Sequence, residues 1–147
     1  MCNFAENQIK HLRMKHYSEY LQEHGVKPTA VRILVWEEVA AMTETFTLAD
    51  LENAMPHMDR SSIYRALRLF AEHHLLHELN DATGQKKYCV CRCTDHHHLN
   101  HIHFNCTHCG KTLCLEDYSI PLVVLPKEFR IEEAEYIIKG VCPKCNR

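Results

Sequence analysis

Glycine and proline are scarce, at 4 and 5 residues, which excludes long flexible linkers and collagen-like or low-complexity architectures. No apolar run approaches the ~18 residues a membrane span needs. The opening MCNFAENQIKHL also lacks the basic start and apolar stretch of an export signal. Both absences predict a cytoplasmic chain with no membrane partner. The basic excess common in nucleic-acid binders is missing too, since the formal net charge is -2. Any such contact must rest on local charge, and Arg60, Arg65 and Arg68 form a stretch without an acid up to Ala71. Neither His-Glu-x-x-His nor His-x-Glu occurs, so a zinc hydrolase or deaminase would lack its general acid/base. The sequence therefore predicts no enzyme and no small-molecule substrate.

What is abundant is metal-ligand chemistry, with 9 cysteines and 13 histidines in 147 residues. In a reducing cytosol clustered thiols hold metal more often than they form disulfides. A hydrophobic fraction of 46% fits a globular chain. Its length allows one domain or two small ones that share burial, so a second copy is expected.

Periodicity predicts four helices and then strands. Residues 6 to 24 read as a polar helix ended by Gly25. Pro28 and Thr29 open a second, with Val31, Leu34, Val35 and Val39 facing a core. Thr47 and Asp50 have the form of a capping box on a short third helix that stops near Pro56. Asp59 caps a fourth, in which Ile63, Leu67, Phe70 and His74 pack while Ser61, Arg65, Arg68 and Glu72 face out. Leu76 to Leu79 and Lys86 to Val90, around Asp81-Ala82-Thr83-Gly84, form a hairpin signal. The order is that of a winged helix. After a Cys- and His-rich stretch come strand-like HIHFNC and KTLCLE, the apolar SIPLVVLP and one long strand, FRIEEAEYIIKGVC. The expected fold is α+β: a winged helix-turn-helix DNA-binding domain over 1–91, then a small α/β dimerisation and metal-binding domain over 92–147.

Cys106-x-x-Cys109 and Cys142-x-x-Cys145 are the sharpest motif. Two thiolates three positions apart on a tight turn span one edge of a tetrahedron, and a second pair completes it. Gly110 permits the turn. All four positions are closed, so this zinc should clip the last strand to the earlier ones rather than catalyse. His101 and His103, two apart in a strand, share one face while Cys106 points to the other. They belong to a second site, approached by Cys89, Cys91 or Cys93. His96, His97 and His98 read better as a solvated loop.

Thr29-x-x-Arg32, SSIYRAL, His101-x-His103-x-x-Cys106-x-x-Cys109-Gly110 and the tail Gly140-Val141-Cys142-Pro143-Lys144-Cys145 together resemble the ferric uptake regulator family of metal-responsive repressors. The resemblance covers nearly the whole chain. It implies a homodimer in which a regulatory metal closes two winged helices onto double-stranded promoter DNA. Where iron and peroxide sensors of the family carry a carboxylate after the aromatic of the second wing strand, this chain has Tyr88-Cys89-Val90-Cys91. HLLHELNDATGQKKYCVC also looks like the zinc uptake regulators, whose wing histidine and cysteine match His77 and Cys91. The resemblance thus implies a regulatory site of His77, Cys91, His101 and His103, and zinc suits such donors better than iron does. Cys89, Cys93, Asp95, Cys114 and Glu116 remain open as completing ligands. A further site of the family is expected to be absent, since Asn100, Ile102 and Ala134 stand at its ligand positions. Two zincs per chain are expected, one structural and one regulatory.

A winged helix places its recognition helix in the major groove. Arg60, Ser61, Ser62, Tyr64 and Arg65 are the candidates for touching DNA, and the resemblance singles out Tyr64 and Arg65. The alternative is an iron- or peroxide-responsive repressor of the same family. A zinc-dependent enzyme, which would lack its general acid/base, and a zinc-ribbon adaptor, which leaves the exposed basic helix and the His pair unexplained, are more remote.

Overall fold

The computed structural model describes residues 3–81, 83–90, 102–115, 118, 120–121, 123–132 and 134–147. In order these form α1 (Asn3–Glu23), α2 (Ala30–Ala40), α3 (Leu48–Ala54), α4 (Arg60–Glu72), β1 (Leu76–Asn80), β2 (Lys86–Val90), β3 (Ile102–Cys106), β4 (Thr112–Leu115) and β5 (Tyr136–Gly140). The fold is α+β, and the chain divides into two compact units. One contains the helices and most of the β1–β2 hairpin; the other contains the β3–β5 sheet.

Local chemistry sets the helix ends. At the close of α1 the Val26 amide reaches back to the Leu21 carbonyl and the Gly25 amide to that of Gln22, a Schellman closure that requires the left-handed backbone of Gly25, φ 79°. Gly25 has a second constraint, because a Cβ there would lie 3.2 Å from His73 Nδ1. Thr29 Oγ1 accepts the Arg32 amide to start α2. On α3 the Thr47 hydroxyl accepts the Asp50 amide while Asp50 accepts the Thr47 amide, the complete capping box. Asp59 accepts the Ser62 amide at 2.9 Å to start α4, and the hydrogen bonds from Ser62 hold its carboxyl below the usual carboxylate range.

The helical unit packs around Leu21, Val35, Trp36, Val39, Phe46, Leu51, Ile63, Leu67, Phe70 and Tyr88. Trp36 stacks on Tyr20 and meets Phe70 edge-on. Two packing expectations are corrected. Val31 is exposed, because α2 begins only at Ala30 and its first turn projects beyond the core; Trp36 takes the buried share. His74 is exposed too, since α4 ends at Glu72 and His74 has turned to φ 60°. It closes a second Schellman turn, with the Leu75 amide on the Phe70 carbonyl and the His74 amide on that of Ala71.

β1 and β2 pair as a two-stranded sheet. At their turn Asp81 Oδ1 accepts the amides of Thr83 and Gln85, and Gly84 takes φ 82°. Phe46, just before α3, exchanges two backbone hydrogen bonds with Tyr88, which fastens the hairpin to the helices. Helix-turn-helix followed by this hairpin is the winged-helix arrangement.

In the other unit the strand order is β4-β3-β5. β3 runs antiparallel to β4 and parallel to β5. The last strand is shorter than the long element expected from the sequence: it is confined to Tyr136–Gly140, where β-branched residues follow the aromatic. His103 and Asn105 lie on one face of β3, and Ile102, Phe104 and Cys106 on the other.

Candidate metal centre and nucleic-acid interface

The parallel pairing sets Cys106 opposite Gly140, two residues before Cys142. This register brings the two Cys-x-x-Cys turns together. A Cβ on Gly140 would meet the Phe104 ring at 3.0 Å, so a larger residue there would have to push that ring aside. Thr107 fastens the same point, its amide and hydroxyl both donating to the Gly140 carbonyl at 2.7 and 3.1 Å. After Cys106 the chain turns through Gly110, φ 71°, with the Gly110 amide on the Cys106 carbonyl. The second turn closes alike, with the Cys145 and Asn146 amides both donating to the Cys142 carbonyl.

The result is one cluster in which the Sγ atoms of Cys106, Cys109, Cys142 and Cys145 all lie within 4.8 Å of one another. Cys109 and Cys142 sulfurs are 3.8 Å apart. A tetrahedral ion with metal–sulfur bonds of ~2.3 Å needs sulfur–sulfur edges of roughly 3.8 Å, which the Cys109–Cys142 edge already has, so four-coordinate zinc fits this cluster once the wider edges close by about 1 Å or less. Backbone amides of Cys109 and Cys142 donate to Cys106 Sγ and pull its thiol down to about 6. Cys106 thus brings an ionised sulfur at neutral pH. Cys145 is pushed up to about 12, chiefly by its hydrogen bond with Cys142, so a cation must displace its proton, and affinity should fall on acidification. No sequence rule points to Thr107 or to the Cys142 amide on Cys106; both follow from the pairing of segments more than thirty residues apart, whereas the Cys109 amide comes from the turn itself.

Of the second donor set, His77 lies on β1 and His103 on β3, each half-buried, while Cys91 and His101 lie outside the described residues. So do Cys93, Asp95 and Glu116. Cys89 is buried on β2, and Cys114 is the direct cross-strand partner of His103.

On α4, Ile63, Ala66, Leu67 and Phe70 are buried, which turns Arg60, Ser61, Tyr64, Arg65 and Arg68 outward. Tyr64 is 43% exposed although aromatic. The polar groups on this face are mutually bonded. Ser62 Oγ donates to Asp59 at 2.8 Å, Arg65 Nη2 donates to Ser62 Oγ at 3.3 Å, and Arg60 Nη1 donates to Glu52 Oε2 on α3 at 2.7 Å. Glu52 was not legible as a partner of Arg60, because eight residues and a turn separate them.

A winged helix in one unit and a four-thiol metal centre in the other define the class to which the chain conforms. The ferric uptake regulator family model matches residues 23–125, and the chain belongs to that family. A ferric uptake regulation protein of Synechococcus elongatus is 35% identical over 91 residues, which is 59% of each chain. The peroxide operon regulator of Bacillus subtilis is 27% identical over 145 residues, covering 91% of this chain and 94% of its own. Among solved structures, a zinc uptake regulator complexed with zinc and DNA superposes with a TM-score of 0.64 at 17% identity, over 90% of this chain and 92% of that one. The ferric uptake regulator of Pseudomonas aeruginosa with manganese does so with a TM-score of 0.60 at 16% identity, over 86% and 97%. At these identities the structural likeness is one of fold.

Proposed function

We propose that this chain is a zinc-responsive, homodimeric DNA-binding repressor of the cytoplasm that controls metal homeostasis and has no catalytic role. The observation that carries the reading is the pairing, in one member of this family, of a capped helix presenting Tyr64 and Arg65 with a donor inventory dominated by thiol and imidazole. One zinc is assigned to Cys106, Cys109, Cys142 and Cys145, where it holds the sheet together. A second, regulatory zinc is assigned to His77, Cys91, His101 and His103, with 1–91 as the DNA-binding domain and 92–147 as the dimerisation and metal-binding domain. Arg60, Ser61, Ser62, Tyr64 and Arg65 are assigned to double-stranded promoter DNA.

Dimerisation is supported by β5, an edge strand whose Ile137 and Ile138 are exposed on both faces, together with the exposed Val124 and Phe129. Apolar surface of this kind beside an edge with no strand partner among the described residues suits a second copy. The switch follows from linkage: an ion that binds the DNA-competent arrangement more tightly shifts the population by its difference in affinity. The peroxide operon regulator of Bacillus subtilis aligns along nearly its whole length, which favours a peroxide- or iron-responsive repressor as the second reading.

Both are tested by measuring promoter binding with protein loaded with zinc, iron(II) or manganese(II) at the regulatory site while the four-thiol zinc is retained. Zinc alone should support tight binding. Tight binding with iron or manganese, and its loss to peroxide, would select the second reading. Equal affinity for stripped and loaded protein would remove the switch.

A further inference from the structure

The outward face of α4 is electrically cancelled by the chain itself. Arg60, the first residue of the helix, is held by Glu52 of α3 at 2.7 Å. Arg68 is held by Glu72 one turn along at 3.1 Å. Arg65 instead meets a hydroxyl, that of Ser62. Asp59 at the cap and Glu72 leave α4 with one net positive charge against Arg60, Arg65 and Arg68, and Glu52 of α3 brings the sum to zero around the element meant to approach a polyanion. The Glu52 side chain is 28% exposed and that of Arg60 67%, so the acid is the better anchored member and the guanidinium is drawn to it. A cation at the first turn of a helix opposes the helix dipole, and Glu52 relieves that opposition as well.

On the DNA-binding reading above, we infer that Glu52 restrains Arg60: its carboxylate competes with DNA phosphate for the guanidinium and keeps sequence-independent affinity low. A phosphate approaching Arg60 must displace an anion already at hydrogen-bond distance, so one charge-assisted bond replaces another with little gain. At Arg65 the phosphate replaces a neutral hydroxyl and the gain is larger. Sequence-independent binding is almost wholly electrostatic. Withholding one cation therefore removes a phosphate contact from it, and makes affinity depend more on base contacts and on the metal.

The test is the salt dependence of binding to a random-sequence duplex, by fluorescence anisotropy with zinc-loaded protein. Glu52→Gln keeps the side chain's shape and can still hydrogen-bond, but frees the Arg60 charge. Its plot of log affinity against log salt should steepen by about 0.9, so that about 3.5-fold more affinity is lost between ~50 and ~200 mM salt. Adding Glu52→Gln to Arg60→Ala should produce no steepening. An unchanged slope in Glu52→Gln overturns the inference, as does a gain that persists without Arg60, which would be long-range charge alone. If wild type bound neither promoter nor random duplex at any metal loading, the DNA-binding reading itself would fall, and the inference with it.

Discussion

Replacing Cys109 by serine isolates the contribution of one thiolate to the four-thiol centre. Cys109 is the exposed member of the cluster, whereas Cys106 and Cys142 are buried, so the serine leaves no cavity and its effect is that of a lost ligand. A structural zinc site contributes on the order of 10–16 kcal/mol at neutral pH, and a quarter of that is roughly 3 kcal/mol, or about 100-fold in zinc affinity. The sheet unit has little to compensate: its buried residues among those described are Ile102, Asn105, Cys106, Thr112 and Cys142, two of them the thiols themselves. Loss of zinc should therefore unfasten β5 from β3. Competition against a chromophoric chelator reads the affinity, and hydrogen exchange at the Ile138 and Gly140 amides, which face β3, reads the unfastening. Cys109→Ser protein that surrendered zinc at the same chelator concentration as wild type, with β5 equally protected, would show that the four sulfurs do not act as one site.

Arg65→Ala should weaken promoter binding about tenfold, within the ~1–3 kcal/mol of a helix–DNA contact, while zinc content measured by elemental analysis is unchanged; equal affinity would take this face out of recognition. His74→Gly should stabilise the helical unit by about 1 kcal/mol, because φ 60° strains a Cβ and not a glycine, and a thermal melt that failed to rise would refute the strain. Tyr88 is buried, and burial raises its hydroxyl from about 10 to about 12, with Glu78 adding to the effect. Since the folded value lies above the unfolded one, the stability it contributes is complete below pH ~10 and is lost as pH rises toward ~12. One tyrosine should accordingly ionise late in an ultraviolet titration, together with unfolding, and Tyr88→Phe should abolish that late step.

The sequence alone determined whatever depends on neighbours along the chain. Helix starts at Thr29, Thr47 and Asp59 and the glycine stop at Gly25 were legible because a cap is a contact over three to five residues, and the two Cys-x-x-Cys turns because chelation fixes their spacing. The inward face of α4 was legible too, apart from its end. His74 was misplaced because period alone continues a helix that backbone closure has already stopped. Val31 was misplaced because its exposure depends on what the first turn of α2 meets.

Tertiary structure decided the rest. Which sulfurs become neighbours depends on the parallel register of β3 with β5, where Gly140 also leaves room for the Phe104 ring. The net charge around α4 depends on an acid from another helix. Neither distance is a function of spacing in the chain; both arise only when separate segments are packed, and electrostatic coupling follows distance in space.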